Sequence, residues 1–400
     1  MFDIVGAETT GASSNLFGEV VGAIGKTIKI QIARNALLAE LSLLAEVVEP
    51  KGLMPSLNYL LIEAANDRVV LRTASLNNTL QCEIDADVIE PGGVCLPARK
   101  FYEIVRQLPS ETIVISGNEH PAALKCGASR FNLNAISPDE FPEAPTTAEL
   151  FTTIPCEIML RLIQSSLFAA QRAGDSGRYA LDSAQLTIGP KGARIIATNG
   201  HRLICVERAD VTQDKPITLL IPRTSLSAIT KVLSSSEGEV KIGLSSNRLF
   251  VNTGKRQFSS VLLDRAYPDC EPLLSKSFER QLTLDCQAFK EVINRMAVFG
   301  ADGGNHSFGM IKFHFAPDRY ELLSLDSNGG EGEEEIIPLS FAVDAKTTIS
   351  FNGRYLQDFA RTLSGSALTI KYDDENSVVE LCPASDDGYV ARYILMPCRE

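Results

Sequence analysis

The sequence predicts an α+β protein made of three tandem copies of one domain, and three recurring features carry that prediction. An alternating strand that runs into an amphipathic helix appears as KIQIARNALLAELSLLAEVV (Lys29–Val48), TTIPCEIMLRLIQSSLFAA (Thr152–Ala170) and QLTLDCQAFKEVINRMAVFG (Gln281–Gly300), with Ile32, Ile154 and Leu284 in register. A short strand turning into a shorter helix follows at Val94–Leu108, Leu219–Leu233 and Ile349–Leu363, aligning Leu96, Ile221 and Phe351. Each copy closes on a strand, around Phe131, Phe258 and Tyr393. The anchors keep one order and one spacing of roughly 120–135 residues, which unrelated amphipathic segments have no reason to do.

Between the anchors lie short runs of period-two alternation, at Arg68–Thr73, Thr112–Ile115, Ala193–Thr198, Leu249–Asn252 and Leu368–Lys371. Asn199-Gly200 reads as a hairpin turn, because both residues tolerate positive φ. Proline-rich joints at Pro138–Pro145 and Pro268–Pro272 fall where copies meet, and Ser327–Glu335 reads as a solvated loop. The expected division is a flexible leader at 1–28 and three domains at 29–148, 149–276 and 277–400, each large enough to hold its own core. Each domain is mostly antiparallel sheet with two helices on one face. If a constant rotation relates successive domains, two chains meeting head to tail close a ring, with sheets outside and helices on the inner face.

Composition excludes several classes. With 44% hydrophobic and 22% charged residues the chain is globular, and its apolar runs are too short for a membrane helix; Ala36–Val48 is interrupted by Glu40 and Glu46. The leader lacks the basic start and apolar middle of a secretory signal. Nine cysteines stand singly among strand-like residues, without a Cys-x-x-Cys pair, a spacing expected of reduced, buried thiols in a cytoplasmic protein. A net charge of −12 rules out nucleic-acid binding by bulk positive charge, so any DNA role rests on a localised basic surface. The sequence has no P-loop, no nucleotide-binding glycine fingerprint and no His-Glu-x-x-His, and its four histidines are dispersed. Asp373-Asp374-Glu375 reads as a charged turn. The expectation is a non-enzyme with no cofactor and no metal.

Five stretches then carry a resemblance: PARKFYEIVRQLP (Pro97–Pro109), RFNLNAISPDEFP (Arg130–Pro142), ATNGHRL (Ala197–Leu203), LLDRAYPD (Leu262–Asp269) and YILMPCR (Tyr393–Arg399). In this order over three repeats they resemble the β subunit of bacterial DNA polymerase III, the sliding-clamp family, from about Lys29 to Arg399. The leader has no counterpart in that family's usual pattern. The resemblance implies a homodimeric ring around duplex DNA that gives a replicative polymerase its processivity. It also implies that the polymerase, the clamp loader and other replication and repair proteins dock through short peptides bearing a Gln and Leu or Phe anchors.

Site expectations follow residue by residue. Phosphate contact without base reading calls for Lys and Arg on or beside the helices. The candidates are Lys51, Arg99, Lys100, Arg106, Arg161, Arg172, Arg178, Arg223 and Arg295, with Lys231, Lys290, Arg354 and Arg361 beside them and Tyr179 as a ring that stacks. Any one of these cations is as readily a plain solvated face. By motif match the peptide pocket comprises Leu181, Thr198, Gly200, His201, Arg202, Leu203, Pro268, Leu273, Tyr355, Ile394, Met396 and Arg399. Two residues depart from the family pattern, Pro272 where Arg is frequent and Cys398 where Met is frequent. The dimer seam is expected to bring Phe131 and Leu133 against Val298 and Phe299 of the facing chain. The alternative is a clamp-fold peptide-binding scaffold without DNA tethering.

Overall fold

A computed structural model describes residues 27–48, 54–66, 68–109, 111–117, 121–143, 145, 149–172, 177, 179–299, 309–315, 320–325, 331–342 and 346–398. Nearly all of the leader lies outside these residues, as do Lys51, Arg178 and Arg399 and the side chains of Val298 and Phe299. The chain divides into two compact units, Met1–Glu157 with Lys231–Val261, and Ile158–Thr230 with Leu262–Glu400.

The first unit contains two antiparallel sheets. One has five strands in the order Asp87–Glu90, Ile28–Ala33, Thr112–Gly117, Ala122–Cys126, Ser129–Leu133. The other has eight, in the order Glu149–Pro155, Glu239–Ser245, Arg248–Asn252, Arg256–Val261, Asn78–Asp85, Arg68–Ala74, Tyr59–Ala65, Gly92–Pro97. Helices α1 (Arg34–Val47) and α2 (Ala98–Gln107) pack together. α1 buries Leu37, Leu41 and Leu44, and α2 buries Phe101 and Val105, at the three- and four-residue spacings that gather side chains on one helix face. Arg34 at the start of α1 donates to the carbonyls of Val105 and Arg106 (3.0 and 2.6 Å), which satisfies acceptors that the end of α2 leaves without intrahelical partners.

The chain passes between units within helices α3 (Cys156–Ser166) and α4 (Arg223–Ser234), and again after Val261. The second unit has a nine-stranded antiparallel sheet in the order Ile217–Pro222, Ser183–Gly189, Gly192–Thr198, Arg202–Arg208, Tyr389–Leu395, Val379–Pro383, Ala367–Tyr372, Arg280–Asp285, Ser340–Ala342. A four-stranded sheet runs Glu331–Glu335, Tyr320–Leu325, Met310–Phe315, Thr347–Asn352. With them go α5 (Glu271–Leu274), α6 (Cys286–Phe299) and α7 (Gly353–Ala360), of which α6 and α7 pack as a pair. Phe313 makes edge contacts with Phe289, Tyr320 and Phe351, and Phe315 stacks on Tyr372 at 4.2 Å, filling the core beneath that helix pair.

The triplication is visible in the strand pairing itself. In each copy the strand that precedes the first helix pairs with a strand from the copy's C-terminal part, and two further strands follow: Ile28–Ala33, Thr112–Gly117, Ala122–Cys126, Ser129–Leu133; then Glu149–Pro155, Glu239–Ser245, Arg248–Asn252, Arg256–Val261; then Arg280–Asp285, Ala367–Tyr372, Val379–Pro383, Tyr389–Leu395. Four of the remaining strands in each copy form a second set with one order of connections, three consecutive antiparallel strands and a fourth that returns beside the first of them. Copies join by strand pairing. Arg256–Val261 of the second copy pairs with Asn78–Asp85 of the first, Phe258 opposite Leu80. Tyr389–Leu395 of the third pairs with Arg202–Arg208 of the second, Tyr393 opposite Ile204. Backbone groups that would form free sheet edges are thereby satisfied at both junctions.

One local expectation needs correction. Part of Ser327–Glu335 is not a loop, since Glu331–Glu335 forms a strand against Tyr320–Leu325. Its glutamates have little strand preference, and pairing to an apolar neighbour imposes the conformation. Asn199-Gly200 does form a hairpin turn, joining Gly192–Thr198 to the antiparallel Arg202–Arg208 through Asn199 to His201, with Gly200 alone at positive φ (87°).

Candidate functional site

The described residues expected to line the peptide pocket lie within the second unit, around a hydrophobic cluster of Ile196, Leu203, Cys205, Cys270, Leu274 and Ile394, with Tyr267, Leu273 and Val378 packed against it. Leu203, Cys205 and Ile394 come from the two strands that join the second and third copies, and Leu273 and Leu274 from α5. Pro272 sits in the first turn of α5, where a missing N–H leaves no bond unmade. Burial pushes the Cys205 thiol up to about 12 and the Cys270 thiol to about 11, so the floor carries no thiolate at neutral pH. Tyr267, its hydroxyl donating to Ile196 O at 3.1 Å, is likewise held neutral by burial.

The loop between Thr198 and Arg202 forms one wall. Thr198 Oγ1 donates to Arg202 O (2.7 Å) and accepts from Gly200 N (3.1 Å), while Asn199 Oδ1 accepts from the backbone of His201 and Arg202 (both 3.1 Å). Gly200 faces Leu181, and Met396 N donates to His201 O at 3.0 Å, so Leu181, Gly200, His201 and Met396 converge. Met396 is 42% exposed, an apolar side chain at the mouth. Tyr355, placed in the first turn of α7 by the Asn352 cap, receives the Asn199 Nδ2 bond at 3.2 Å. Pro268 leads into α5, its carbonyl accepting from Cys270 Sγ. Cys398 is half-buried, its N–H bonded to Ser350 O at 2.7 Å.

Arg202 departs from the expectation of a lining residue. It is 8% exposed and turned inward, donating to Asp358 (2.9 Å) and to Phe168 O (2.6 Å), with its guanidinium 4.3 Å from the Tyr355 ring centre. Asn199 and Asp358, bonded to Tyr355 and Arg202, are not among the pocket residues the motifs point to. The Asn-Gly dipeptide signalled the loop, but no sequence signal connects it to an aspartate on a distant helix.

The expected DNA-contact cations are mostly engaged already. Arg99 donates to Val48 O, Arg106 pairs with Glu103, and Lys231 pairs with Glu46. Arg161 pairs with Asp386 (2.6 Å) and lies over the Tyr389 ring, and Arg295 pairs with Glu334 (2.7 Å). Arg361 lies 3.6 Å from Asp358. Arg223 is half-buried and caps the carbonyls of Leu167 and Ala170; burial lowers its pKa, and the neighbouring charges of Arg172 and Arg202 lower it further. Arg223 is therefore a structural cation rather than a surface one. Lys100, Arg172 and Arg354 are exposed, and Tyr179 is 39% exposed. Among the described residues no group of His, Cys, Asp and Glu could hold a metal ion, and no helix is long and apolar enough to cross a membrane.

The chain matches the DNA polymerase III beta subunit in all three of its domains: the N-terminal over 28–145, the central over 153–269 and the C-terminal over 272–399. It belongs to the DNA polymerase III beta subunit family. Among its relatives, a beta sliding clamp of Pseudomonas putida is 29% identical over 378 residues, covering 92% of this chain and 99% of the relative. A solved Pseudomonas aeruginosa sliding clamp bound to griselimycin superposes with a TM-score of 0.83 at 27% identity, covering 93% of this chain and 100% of the other. The C. crescentus beta sliding clamp gives 0.82 at 26% identity over 94% and 100%. The protein is thus a DNA sliding clamp in fold and family.

Ser129–Leu133 ends the five-stranded sheet and Glu331–Glu335 ends the four-stranded one. Phe131 on the former is 37% exposed, while Leu133 is 2% exposed and already belongs to the core of its own unit. Val298 and Phe299 form the last turn of α6.

Proposed function

We propose that two copies of this chain close head to tail into a ring around duplex DNA, which tethers the replicative polymerase and other partners through the apolar pocket. The carrying observation is the exposure of Phe131. Its equivalents in the second and third copies, Phe258 and Tyr393, are 0% exposed, and each lies on a strand that pairs with a strand of the preceding copy. Phe131 stands in the first of the three copies, and among the described residues no strand pairs with the outer side of Ser129–Leu133. The strand equivalent to those partner strands, Glu331–Glu335 of the third copy, is likewise at a sheet end.

Carrying the register of the two internal junctions to this seam sets Phe131 opposite Gly332 and Arg130 opposite Glu333 of the facing chain. Both charged residues are exposed, and opposite charges facing across a strand pair favour that register. The sheet hydrogen bonds, Phe131 and this charge pair supply the seam, with the end of α6, including Val298 and Phe299, beside it. A closed ring holds duplex mechanically, so exposed cations such as Lys100 and Arg172, with the candidates Lys51 and Arg178, need add only a weak, sequence-independent attraction. The pairing of most other cations suits that reading, because strong fixed phosphate contacts would resist sliding.

The pocket takes short peptides. Each buried apolar anchor contributes roughly 1.5–3 kcal/mol before ordering costs, which suits polymerase, clamp loader and repair factors that exchange on one site. The protein acts without catalysis or cofactor, in the cytoplasm, and its domains run 29–148, 149–276 and 277–400 after the leader. The direct check is solution mass by sedimentation. A particle near twice 43.4 kDa supports the ring, and a monomer at micromolar concentration overturns it.

A further inference from the structure

The pocket's walls come from two different copies, so its shape depends on how those copies are held together. Leu181, Gly200, His201 and Leu203 belong to the second, and Tyr355, Ile394 and Met396 to the third. One buried side chain bridges them at the loop that forms the wall. From the second copy Arg202 reaches into the third, where Asp358 of α7 accepts its Nη1 at 2.9 Å; its Nη2 turns back to Phe168 O at 2.6 Å. The guanidinium lies against the Tyr355 ring (4.3 Å) and near Phe168 (5.3 Å). Tyr355 in turn receives Asn199 Nδ2, and Asn199 Oδ1 fixes the N–H groups of His201 and Arg202. The contacts form a closed circuit from Arg202 to Tyr355 to Asn199 and back to Arg202. The aromatic layer beneath is continuous, with Tyr393 stacked on Phe359 at 4.5 Å and its hydroxyl bonded to Tyr355 O.

We propose that Arg202 and Asp358 are positioning residues of the peptide pocket, which set the loop 199–201 and the Tyr355 ring in their binding positions without touching the peptide. The inference rests on the pocket reading above. With Arg202 8% exposed and Asp358 on the opposite copy, neither side chain is a rim charge that a ligand recruits. The pair instead removes freedom from the wall before the peptide arrives, so the complex forms with less ordering. The planar fork matters as much as the charge, since it holds a carboxylate, a carbonyl and a ring face at once. Lysine offers the charge without that geometry.

The test uses the full-length protein and a short synthetic peptide bearing a Gln with Leu and Phe anchors, measured by calorimetry and stopped-flow. Arg202→Met and Asp358→Asn are each expected to weaken binding roughly tenfold, with slower association, while the dimer mass stays unchanged. Arg202→Lys should restore only part of the loss. The double variant should bind no worse than the weaker single, because the two residues act as one unit. If Arg202→Met does not fold, Asp358→Asn and Arg202→Lys carry the same comparison. Unaltered peptide affinity in these variants, with Leu181→Ala still weakening binding, overturns the positioning role and leaves the pocket standing. Should Leu181→Ala and Met396→Ala also bind normally, the pocket assignment itself fails and this inference with it.

Discussion

Phe131 and Phe258 hold the same place in two copies of one domain, yet Phe258, on a strand paired with Asn78–Asp85, is fully buried and Phe131 is 37% exposed. The difference lies in the neighbour and not in the residue. An aromatic ring on an uncovered sheet edge invites strand addition, and in the ring proposed above the equivalent strand comes from a second chain.

Arg130→Glu should therefore weaken the dimer, about tenfold or more in dissociation constant, because a like charge then faces Glu333 across the seam. Adding Glu333→Arg should recover most of the loss. Sedimentation equilibrium of the single and double variants checks both steps, and equal weakening without recovery would place the seam elsewhere.

Leu181→Ala combined with Met396→Ala removes apolar surface from the pocket's wall and mouth. Binding of an anchor-bearing peptide should fall by about 10- to 100-fold, in keeping with two truncated apolar contacts. Dimer mass should not change. Calorimetry with an unaffected Kd would rule out this wall.

Asp386 offers a pH test. Hydrogen bonds from Ser364 and Arg161, together with the charge of Arg161, hold its carboxyl below the usual value of 3.8. A depressed folded-state value stabilises the protein above pH 3.8, and that contribution disappears as pH falls through the depressed value. Asp386→Asn should lower the thermal midpoint at pH 7 modestly, since the pair is partly exposed and worth no more than about 1 kcal/mol. The gap between variant and native protein should close on acidification. A gap that persists or grows in acid contradicts the assignment.

Seven of the nine cysteines are buried, and Cys382 and Cys398 are half-buried. Burial raises all nine thiols, Cys95 and Cys205 to about 12 and Cys270, Cys286 and Cys382 to about 11. Native protein at pH 8 should thus react slowly with a thiol reagent, first at Cys382 and Cys398, and rapidly only when unfolded. Mass-mapped labelling that begins at Cys205 would mean the pocket floor opens.

The repeats were legible because Ile32, Ile154 and Leu284 begin the same strand-to-helix pattern, and core positions advertise themselves by periodicity. The pocket was legible through Thr198–Leu203 and Ile394–Met396, whose residue types recur together. Direction was not. Sequence offers no means of telling that Arg202 and Arg223 turn inward to a carboxylate and to carbonyls while Lys100 stays outside, since all sit on or beside polar stretches. Nor could composition find the strand at Glu331–Glu335, whose conformation comes from pairing with Tyr320–Leu325. Leu133 shows the same gap, an apolar residue assigned to an interface that its own core had already taken.

Encirclement is tested most directly by retention on DNA of defined topology. Protein loaded on a closed circular duplex should stay bound through gel filtration at moderate salt and be released once a single cut linearises the circle. Equal retention on circular and linear DNA, or none on the circle from a protein that still binds the peptide, would contradict a mechanical hold and favour a scaffold that binds peptides alone.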